Sequence, residues 1–551
     1  MRGQAPPALA ALSRRRWLAG AGALLAGCSR PGAPAGPAWT GGYVGEAVGA
    51  GHAWRDGAGA GDVAPARTHR CQVLIVGAGI AGLAAARALR QRGIEDLAVL
   101  ELHAQPGGNA RGHQIDGVAC PMGAHYLPVP DAGDHELLRW LHELGLARHE
   151  LGRTVFDERH LCHSPQERVW HEGRWHEGLL PPLQPGTAAH TQAGRLALRI
   201  DALQRELGFA LPAGRSGWKP GHAALDAQSF AAWLDQQGIQ DPLLRWFLDY
   251  SCRDDYGAPA DAVSAWAGIH YFASRHGFPA PGAEVESGRD AVFTWPQGNA
   301  WLVERLAAPL GDRLHNGWMV SQVQEWRDRV ELIARRQPEP AAPGPAEIHR
   351  WQADQLILAV PLKWAVRLWP QAPAPLHQAA AALPVAPWLV ANLHLKQPLI
   401  ERPGVSAAWD SVIAGREGLG YVDALHQSMG ARGESTVLTV YHALPVARRP
   451  DLLQRSWADW AAWVVADLAA THVDLPAKLR RVDLIRHGHA MAVPAPGVRT
   501  RMAALQGARR THSGRVHWAH GDGAGYSVLE EAFAEGHTAA AAAALRRLRA
   551  A

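Results

Sequence analysis

The sequence has few lysines and no surplus of charge beyond its first residues. Of 551 residues, 51 are Arg and only four are Lys. The formal net charge of +4 equals the four Arg of residues 1–27, which contain no acid, so the remaining chain is balanced. A protein without a basic surplus or a Lys/Arg-rich run lacks the electrostatic footprint of a nucleic-acid binder. We therefore expect no nucleic-acid partner.

Cysteine is also scarce, with five in the chain. The four that follow Cys28 are irregularly spaced and form no Cys-x-x-Cys pair, so they do not indicate a disulfide framework. Histidine is common, with 29 residues, but the cluster at 160–176 does not follow the spacing of zinc ligands. We expect neither a disulfide scaffold nor a metal site.

The N-terminal residues are typical of an export signal. The uncharged stretch 17–27 is too short to span a bilayer, and it follows the arginines Arg14, Arg15 and Arg16. This combination indicates a twin-arginine signal. The stretch ends in Leu-Ala-Gly-Cys28, which resembles the lipobox of bacterial lipoproteins, so we expect an exported protein held on the periplasmic side of a membrane by a lipid on Cys28. The alternative is a plain signal peptide cleaved nearby.

Length and composition predict a globular protein of more than one domain. A chain of 551 residues exceeds one core of typical size, and 47% hydrophobic with 19% charged residues is a globular composition. Residues 28–67 differ, because their Gly, Ala and Pro content is typical of a flexible tether. Trp39, Tyr43, Val44 and Trp54 within this tether are apolar enough to dock on the rest of the chain.

A nucleotide-binding pattern begins at residue 73. The apolar run 73–76, typical of a buried strand, leads into Gly77-x-Gly79-x-x-Gly82 and a helical stretch. Gly77 permits a tight turn, Gly79 lets the backbone approach a pyrophosphate, and Gly82 lets the helix pack on the strand. Glu101 follows at the offset of a ribose-binding acid. Because an acid there repels a 2′-phosphate, the pattern favours FAD or NAD over NADP.

The next segment favours FAD by resemblance. Gly-Gly-Asn-Ala-Arg at 107–111 resembles the E-x5-GG-x-x-R extension of the flavin amine oxidase superfamily, with its monoamine oxidase, phytoene desaturase and protoporphyrinogen oxidase relatives. Further segments are similar to that superfamily in the same order, at 295–306, 319–323, 356–361 and 516–536. The resemblance implies that FAD is the cofactor, and that its binding residues include Gly108, Arg111, Val320, Gly521 and Asp522.

These patterns together predict an α/β protein in which a Rossmann-type FAD-binding domain carries an inserted α+β substrate domain. The FAD-binding domain is assembled from 68–150, 286–365 and 486–551. The substrate domain comprises 151–285 and 366–485. A ligand is then expected at the interface of the two domains, over the flavin.

The C-terminal segment predicts a helix that points at the cofactor. Ser527-Val-Leu-Glu530 fits a capping box, so a helix should begin there and run to Arg549. The positive N-terminal end of such a helix would stabilise the negative charge of a reduced flavin.

Three residues are candidates for catalysis. By family resemblance, His125 lies where the chain passes close to the isoalloxazine ring. Tyr421 and His426 lie in strand-like runs, which with Tyr441 would form a sheet over the ring. A single His or Tyr on a strand is more often structural than catalytic. The run 253–256 is ambiguous in the same way, because charged runs usually face solvent.

Two positions depart from the amine oxidase pattern. Val390 stands where many members have a lysine, and Val528 where some have a tyrosine. An apolar pocket suits oxidation of a C–H or C–C bond at least as well as that of an amine. We expect an FAD-dependent oxidoreductase that passes a hydride from a small-molecule substrate to flavin N5, with oxygen or a respiratory carrier as electron acceptor. The alternative is a protein that binds FAD or a ligand without turnover.

Overall fold

The computed structural model describes residues 39–45, 51–52, 65–278, 291–336, 347–428, 435–511 and 514–550. The predicted signal, with Arg14, Arg15 and Cys28, lies outside the described residues. The chain divides into two compact units, 1–40 and 41–551, and only residues 39–40 of the first are described. Among the described residues, no helix combines the length and the apolar character needed to cross a membrane.

The described residues form 21 strands and 15 α-helices. The strands are, in chain order, β1 (Thr40–Tyr43), β2 (Arg67–Val76), β3 (Leu97–Glu101), β4 (Gly112–Ile115), β5 (Val118–Pro121), β6 (Tyr126–Pro128), β7 (Ala147–Glu150), β8 (Arg153–Phe156), β9 (Glu167–His171), β10 (Arg174–Glu177), β11 (Val292–Thr294), β12 (Leu314–Asn316), β13 (Trp318–Glu325), β14 (Val330–Arg336), β15 (Ile348–Leu358), β16 (Val385–Leu395), β17 (Asp410–Ile413), β18 (Tyr421–Asp423), β19 (Thr436–Ala443), β20 (Leu479–Ala492) and β21 (Val516–Trp518). The α-helices are α1 (Ile80–Gln91), α2 (His135–Glu143), α3 (Ala188–Leu207), α4 (Pro220–Asp226), α5 (Phe230–Gln236), α6 (Pro242–Tyr256), α7 (Ala265–His270), α8 (Ala300–Ala307), α9 (Leu362–Leu368), α10 (Ala374–Ala382), α11 (Arg449–Gln454), α12 (Trp457–Ala469), α13 (Leu475–Lys478), α14 (Val498–Thr511) and α15 (Leu529–Ala550).

A seven-stranded, mainly parallel sheet is built around β2. Its order is β12-β3-β2-β15-β14-β13, and β21 pairs with β15. Strands β2, β3, β12, β15 and β21 run parallel, and α1 connects β2 to β3. Helix α15 approaches α1 closely, since a Cβ at Gly536 would lie 2.2 Å from the carbonyl oxygen of Ala81. This arrangement confirms the predicted α/β fold with a Rossmann-type nucleotide-binding unit.

A second sheet of eight strands has the order β1-β20-β16-β19-β18-β17-β9-β10. Its inner strand β16 is buried along its whole length, as expected of a strand that is covered on both faces. The sheet contains the runs around Tyr421 and Tyr441, as predicted. Strand β20 continues past the predicted domain boundary at 485/486, and the division of the chain into those domains stays a prediction.

Part of the predicted tether, from residue 41 onward, belongs to the second unit and packs within it. The hydroxyl of Tyr43 donates to the carbonyl of Arg455 at 2.8 Å, and the N–H of Val44 donates to the carbonyl of Leu484 at 3.0 Å. The expected docking of Tyr43 and Val44 is therefore confirmed.

The C-terminal helix α15 is present, but its predicted cap is wrong. The hydroxyl of Ser527 accepts from the N–H of Ala492 at 3.0 Å, at the end of β20. The helix begins two residues after Ser527, and its first described backbone bond runs from Ala532 to the carbonyl of Val528. A contact distant in sequence has taken the serine side chain, so the capping box does not form.

Candidate active site

A cavity of about 710 Å³ opens between the two sheets, a size typical of ligand sites. Val76 and Val320 of the seven-stranded sheet line one side of this cavity. Val390, Tyr441 and Ile485 of the eight-stranded sheet line another. The cavity therefore lies where the sequence predicts the nucleotide and substrate regions to meet.

The turn between β2 and α1 forms one end of the cavity. Gly77 has a φ of +99°, and a Cβ there would lie 2.3 Å from the carbonyl oxygen of Ala359. A Cβ at Gly82 would lie 1.9 Å from the carbonyl oxygen of Gly77. Gly79 differs, because no atom lies within 4 Å of its Cβ position and the residue lines the cavity. Gly77 and Gly82 are thus required for packing, whereas Gly79 keeps the cavity open.

The surroundings of Gly79 fit a diphosphate. Helix α1 starts there without a side-chain cap, so its first N–H groups and its positive end face the cavity beside Ile80. Arg111 also lines the cavity, and its guanidinium is held by the carbonyls of Gly108 at 2.9 Å and Gly45 at 2.8 Å. Burial lowers the pKa of Arg111 from its usual value. Gly45 belongs to the predicted tether, which therefore contributes to this site.

Glu101 lies at the end of β3 with its carboxylate buried. It accepts from the N–H of Ala78 at 2.7 Å, and from the N–H and Nδ1 of His103 at 2.9 and 3.0 Å. Burial acts to raise the pKa of Glu101, but the hydrogen bonds from His103 and Ala78 outweigh it and hold that pKa below its usual value. Since a carboxylate has about four acceptor positions, one remains for a hydroxyl such as that of ribose.

The remaining predicted cofactor residues line the same cavity. Val320 precedes an irregularity in the pairing of β13 with β14, a feature that can redirect a side chain. Asp522 is 4% exposed, and its carboxylate accepts from the N–H of Leu362 at 2.8 Å. All the predicted cofactor residues except Gly82 line the cavity, so the residues present fit FAD.

His125 lies in the loop between β5 and β6 and faces the cavity. Its ring stacks on that of Tyr441, with centroids 4.4 Å apart, and the ring of Trp409 lies 5.5 Å away. The hydroxyl of Tyr441 donates to the carbonyl of Gly123 at 3.0 Å, which fixes the stacked ring. Burial lowers the pKa of His125 to about 4, so the imidazole is neutral near pH 7.

Tyr421 and His426 do not line the cavity, and the structure does not bring them together with His125. Tyr421 pairs with Val440 across β18 and β19, and directly paired residues of antiparallel strands point to the same face. Tyr441 follows Val440, so it points to the opposite face, toward the cavity. The Tyr421 hydroxyl instead lies 3.0 Å from Nε2 of His472. The sequence does not show which face of the sheet the side chains of β18 and β19 point to, so it could not separate Tyr421 from the cavity residues.

Two acids of the run 253–256, whose position the sequence left ambiguous, line the cavity. Asp254 and Asp255 lie in the last turn of α6. Arg275, on a π-helical turn that follows α7, lines the cavity beside them and pairs with Asp255 at 3.4 Å. Acids are disfavoured at a helix C-terminus, so two consecutive aspartates at the end of α6 indicate a role other than stabilising the helix. This sign of a functional position was present in the sequence. No feature of the sequence indicated that Arg275 would lie beside these acids.

The chain is similar to known proteins along most of its length. A family model described as flavin containing amine oxidoreductase matches residues 80–544. A putative flavin-containing monoamine oxidase of Mycobacterium tuberculosis is 29% identical over 249 residues, covering 44% of this chain and 49% of that protein. The putrescine oxidase of Kocuria rosea is 31% identical over 168 residues, 30% of this chain and 31% of that protein. The matched part thus spans about half the length, or less, of these curated relatives.

Solved structures show the same fold. A putrescine oxidase double mutant aligns with a TM-score of 0.64 and 20% identity, covering 87% of this chain and 100% of that one. Cyclohexylamine oxidase from Brevibacterium oxydans aligns with a TM-score of 0.62 and 17% identity, with the same coverage.

Proposed function

Since the chain belongs to the flavin-containing amine oxidoreductase family, we propose that it is an FAD-dependent oxidoreductase that removes a hydride from an amine. The observation that carries this proposal is one continuous cavity. It joins the nucleotide cradle at Gly79 to a pocket that contains His125, Tyr441 and Asp254. When bound, FAD supplies the acceptor for the hydride.

The side chains around His125 position a substrate and exclude water. The stacked rings of His125 and Tyr441 offer a rigid face, and Val390 and Val528 add apolar surface to the same cavity. A dry, shaped pocket of this kind favours reaction by orientation more than by proton transfer. The neutral His125 is an acceptor or donor of hydrogen bonds rather than a fixed charge.

The acidic residues of the cavity wall favour an amine over a less polar substrate. Val390 and Val528 line the cavity, as their positions in the family pattern imply, and alone would suit an apolar substrate. Asp254 and Asp255 line it as well. Asp255 is already paired with Arg275, whereas Asp254 forms no ion pair with the residues that the structure describes. Because carboxylates attract cations and cost free energy when they are buried without one, the presence of Asp254 favours an amine.

Reduction of bound FAD without oxygen tests the proposal. The purified protein should be yellow, and mixing it anaerobically with a panel of amines and hydrocarbons should bleach the flavin absorbance with amines only. Reoxidation of the bleached protein by oxygen or by a quinone then identifies the electron acceptor. A protein that retains FAD while no compound bleaches it would support the alternative, a non-catalytic FAD-binding or ligand-binding protein.

We further propose that the protein is exported and anchored by a lipid on Cys28, with Arg14 and Arg15 read by the twin-arginine machinery. The support is the arginine motif, the short apolar stretch and the lipobox-like residues that end at Cys28. Changing Arg14 and Arg15 together to Lys should retain the protein inside the cell. Cys28→Ala should release it from the membrane fraction. Normal export of the first variant, or membrane retention of the second, would contradict the corresponding half.

A further inference from the structure

Residues 41–45, which the sequence assigned to the tether, lie along β20 and are fixed to it. The N–H of Val44 donates to the carbonyl of Leu484 at 3.0 Å. The guanidinium carbon of Arg486, on the same strand, lies 3.7 Å from the centroid of the Tyr43 ring, which is a cation–π distance. The segment is therefore held by both its backbone and a side chain.

The same segment holds Arg111. One terminal nitrogen of this guanidinium, Nη1, donates to the carbonyl of Gly45 at 2.8 Å, and Nε donates to the carbonyl of Gly108 at 2.9 Å. Arg111 is 7% exposed and lines the cavity, and among the described residues no carboxylate forms an ion pair with it. Because carbonyls orient a guanidinium without neutralising it, the charge of Arg111 is left for an anion in the cavity.

Two further observations place this part of the chain at the cavity wall. A Cβ at Gly45 would lie 2.0 Å from Cε of Met122, so the segment packs directly on that residue. The N–H of Met122 donates in turn to the carbonyl of Arg111 at 2.9 Å. Gly51 and His52, the next residues that the structure describes, line the same cavity as Gly45. The chain before β2 thus contributes to the wall at two separate points.

We propose that residues 41–45 belong to the FAD site, where the Gly45 carbonyl orients the Arg111 guanidinium for the diphosphate, so that FAD affinity depends on a segment outside the nucleotide-binding sequence pattern. Arg111 is the binding residue, and the segment positions it. The inference rests on FAD as the cofactor and holds whichever substrate is oxidised.

The donors of Arg111 explain why its orientation matters. A guanidinium has five N–H donors, of which Gly45 and Gly108 use two, so three remain for phosphate oxygens. Without the Gly45 carbonyl, only the bond at Nε would hold the group, and it could turn away from the cavity. A group that is oriented before the ligand arrives loses less freedom on binding, so release of the segment should weaken FAD binding.

Two adjacent glycines offer a matched pair of variants. At Gly41, φ is +147° and an added Cβ would lie 1.8 Å from the carbonyl oxygen of Val482, whereas at Gly42 no atom lies within 4 Å of the Cβ position. Gly41→Ala should therefore lift the segment from β20, and Gly42→Ala should leave it in place.

FAD is titrated into deflavinated protein, and binding is followed by the flavin fluorescence. Gly41→Ala should lose about tenfold or more in FAD affinity and Gly42→Ala less than about twofold. Without FAD, Gly41→Ala should melt within about 2 °C of wild type, because only a segment at the edge of the sheet is released.

An Arg111→Ala background separates positioning of Arg111 from a general effect on the fold. If the segment acts through Arg111, Gly41→Ala should cost less than about twofold in FAD affinity once the guanidinium is absent. A loss as large as that in the wild-type background would overturn the proposal. Wild-type FAD affinity in a Gly41→Ala protein whose segment is released would overturn it as well.

Hydrogen exchange tests the same coupling without a substitution and also reports whether Gly41→Ala releases the segment. The bond from Val44 to Leu484 protects an amide, so exchange of a peptide that covers residues 41–45 follows release from β20. Because coupling between two binding events is reciprocal, FAD should slow this exchange in wild type by up to about tenfold. In Arg111→Ala it should not.

Exchange at residues 41–45 that is unchanged by saturating FAD in wild type would overturn the proposal, even if Gly41→Ala is accommodated without release. Failure of every amine to reduce the flavin, with the FAD affinities and exchange rates as expected, would instead overturn the proposed oxidation and leave the role of the segment standing.

Discussion

Gly79 and Gly82 lie in one turn, three residues apart, and should respond to alanine in opposite ways. The backbone of Gly79 is extended, with φ −72° and ψ 179°, a conformation open to alanine. Its added methyl group would enter the cavity and touch no protein atom within 4 Å. At Gly82 the added methyl would lie 1.9 Å from the carbonyl oxygen of Gly77.

The magnitudes follow from these distances. Ordinary contact begins near 3.4 Å, so in Gly82→Ala the helix and the turn must separate by roughly 1 Å or more. Overpacking costs about 1–3 kcal/mol or more, and here the obstacle is backbone, which cannot rotate away, so we expect about 3 kcal/mol. Gly79→Ala should change the stability of the FAD-free protein by less than about 0.5 kcal/mol. It should weaken FAD binding at least tenfold, or about 1.4 kcal/mol.

Thermal unfolding of deflavinated protein, with and without added FAD, separates the two effects. A bound ligand raises stability by mass action, so Gly79→Ala should unfold like wild type without FAD and gain less than wild type when FAD is added. Gly82→Ala should unfold earlier in both conditions. Full FAD affinity in Gly79→Ala would refute the placement of the cofactor against this turn. Wild-type stability of Gly82→Ala would refute the helix–strand contact.

Two further predictions concern catalysis and pH. His125→Ala should slow anaerobic flavin reduction more than tenfold while His426→Ala does not, because of these two residues only His125 lines the cavity. Equal, small effects of the two variants would remove His125 from the site. In wild type, a substrate deuterated at the oxidised carbon should be slower in the same reduction step. Asp522→Asn should cost about 1–3 kcal/mol near pH 7, because it removes the charge that accepts from Leu362. The pKa of Asp522 is held below its usual value by His520 and Leu362 against the effect of burial, so this contribution should be present above about pH 4 and lost as the pH falls through the lower folded-state value. Denaturant unfolding of wild type and variant at pH 7 and at a series of lower pH values measures this contribution. A difference in unfolding free energy that does not shrink as the pH falls below about 4 would contradict the prediction.

The nucleotide end of the cavity could be predicted from the sequence because its determinants are local. A strand, a glycine-containing turn and a helix follow one another from 73 to 91. The positive φ of Gly77 and the close approach of Gly82 to the carbonyl of Gly77 are both features of that segment. Glu101 comes one strand later, and parallel neighbours place it beside the turn. The hydrogen bond from Ala78 to Glu101 is a direct consequence of that order.

The helix at the C-terminus shows where local reasoning ends. The alanine-rich pattern gave α15, since helix propensity depends on the segment itself. The predicted cap does not form, because the Ser527 hydroxyl accepts a hydrogen bond from the N–H of Ala492, 35 residues away. A local sequence pattern cannot show such a contact.

The substrate side was decided by tertiary structure alone. Whether Tyr421 faces the cavity together with Tyr441 depends on how β18 pairs with β19, and a shift of one residue would place both on the same face. In the sequence alone, Asp254 and Asp255 form a charged run whose surroundings are ambiguous. Only the position of α6 shows that they line the cavity, where Arg275 from a π-helical turn pairs with Asp255. A charge is costly or useful according to what surrounds it, and those surroundings come from segments far apart in the chain.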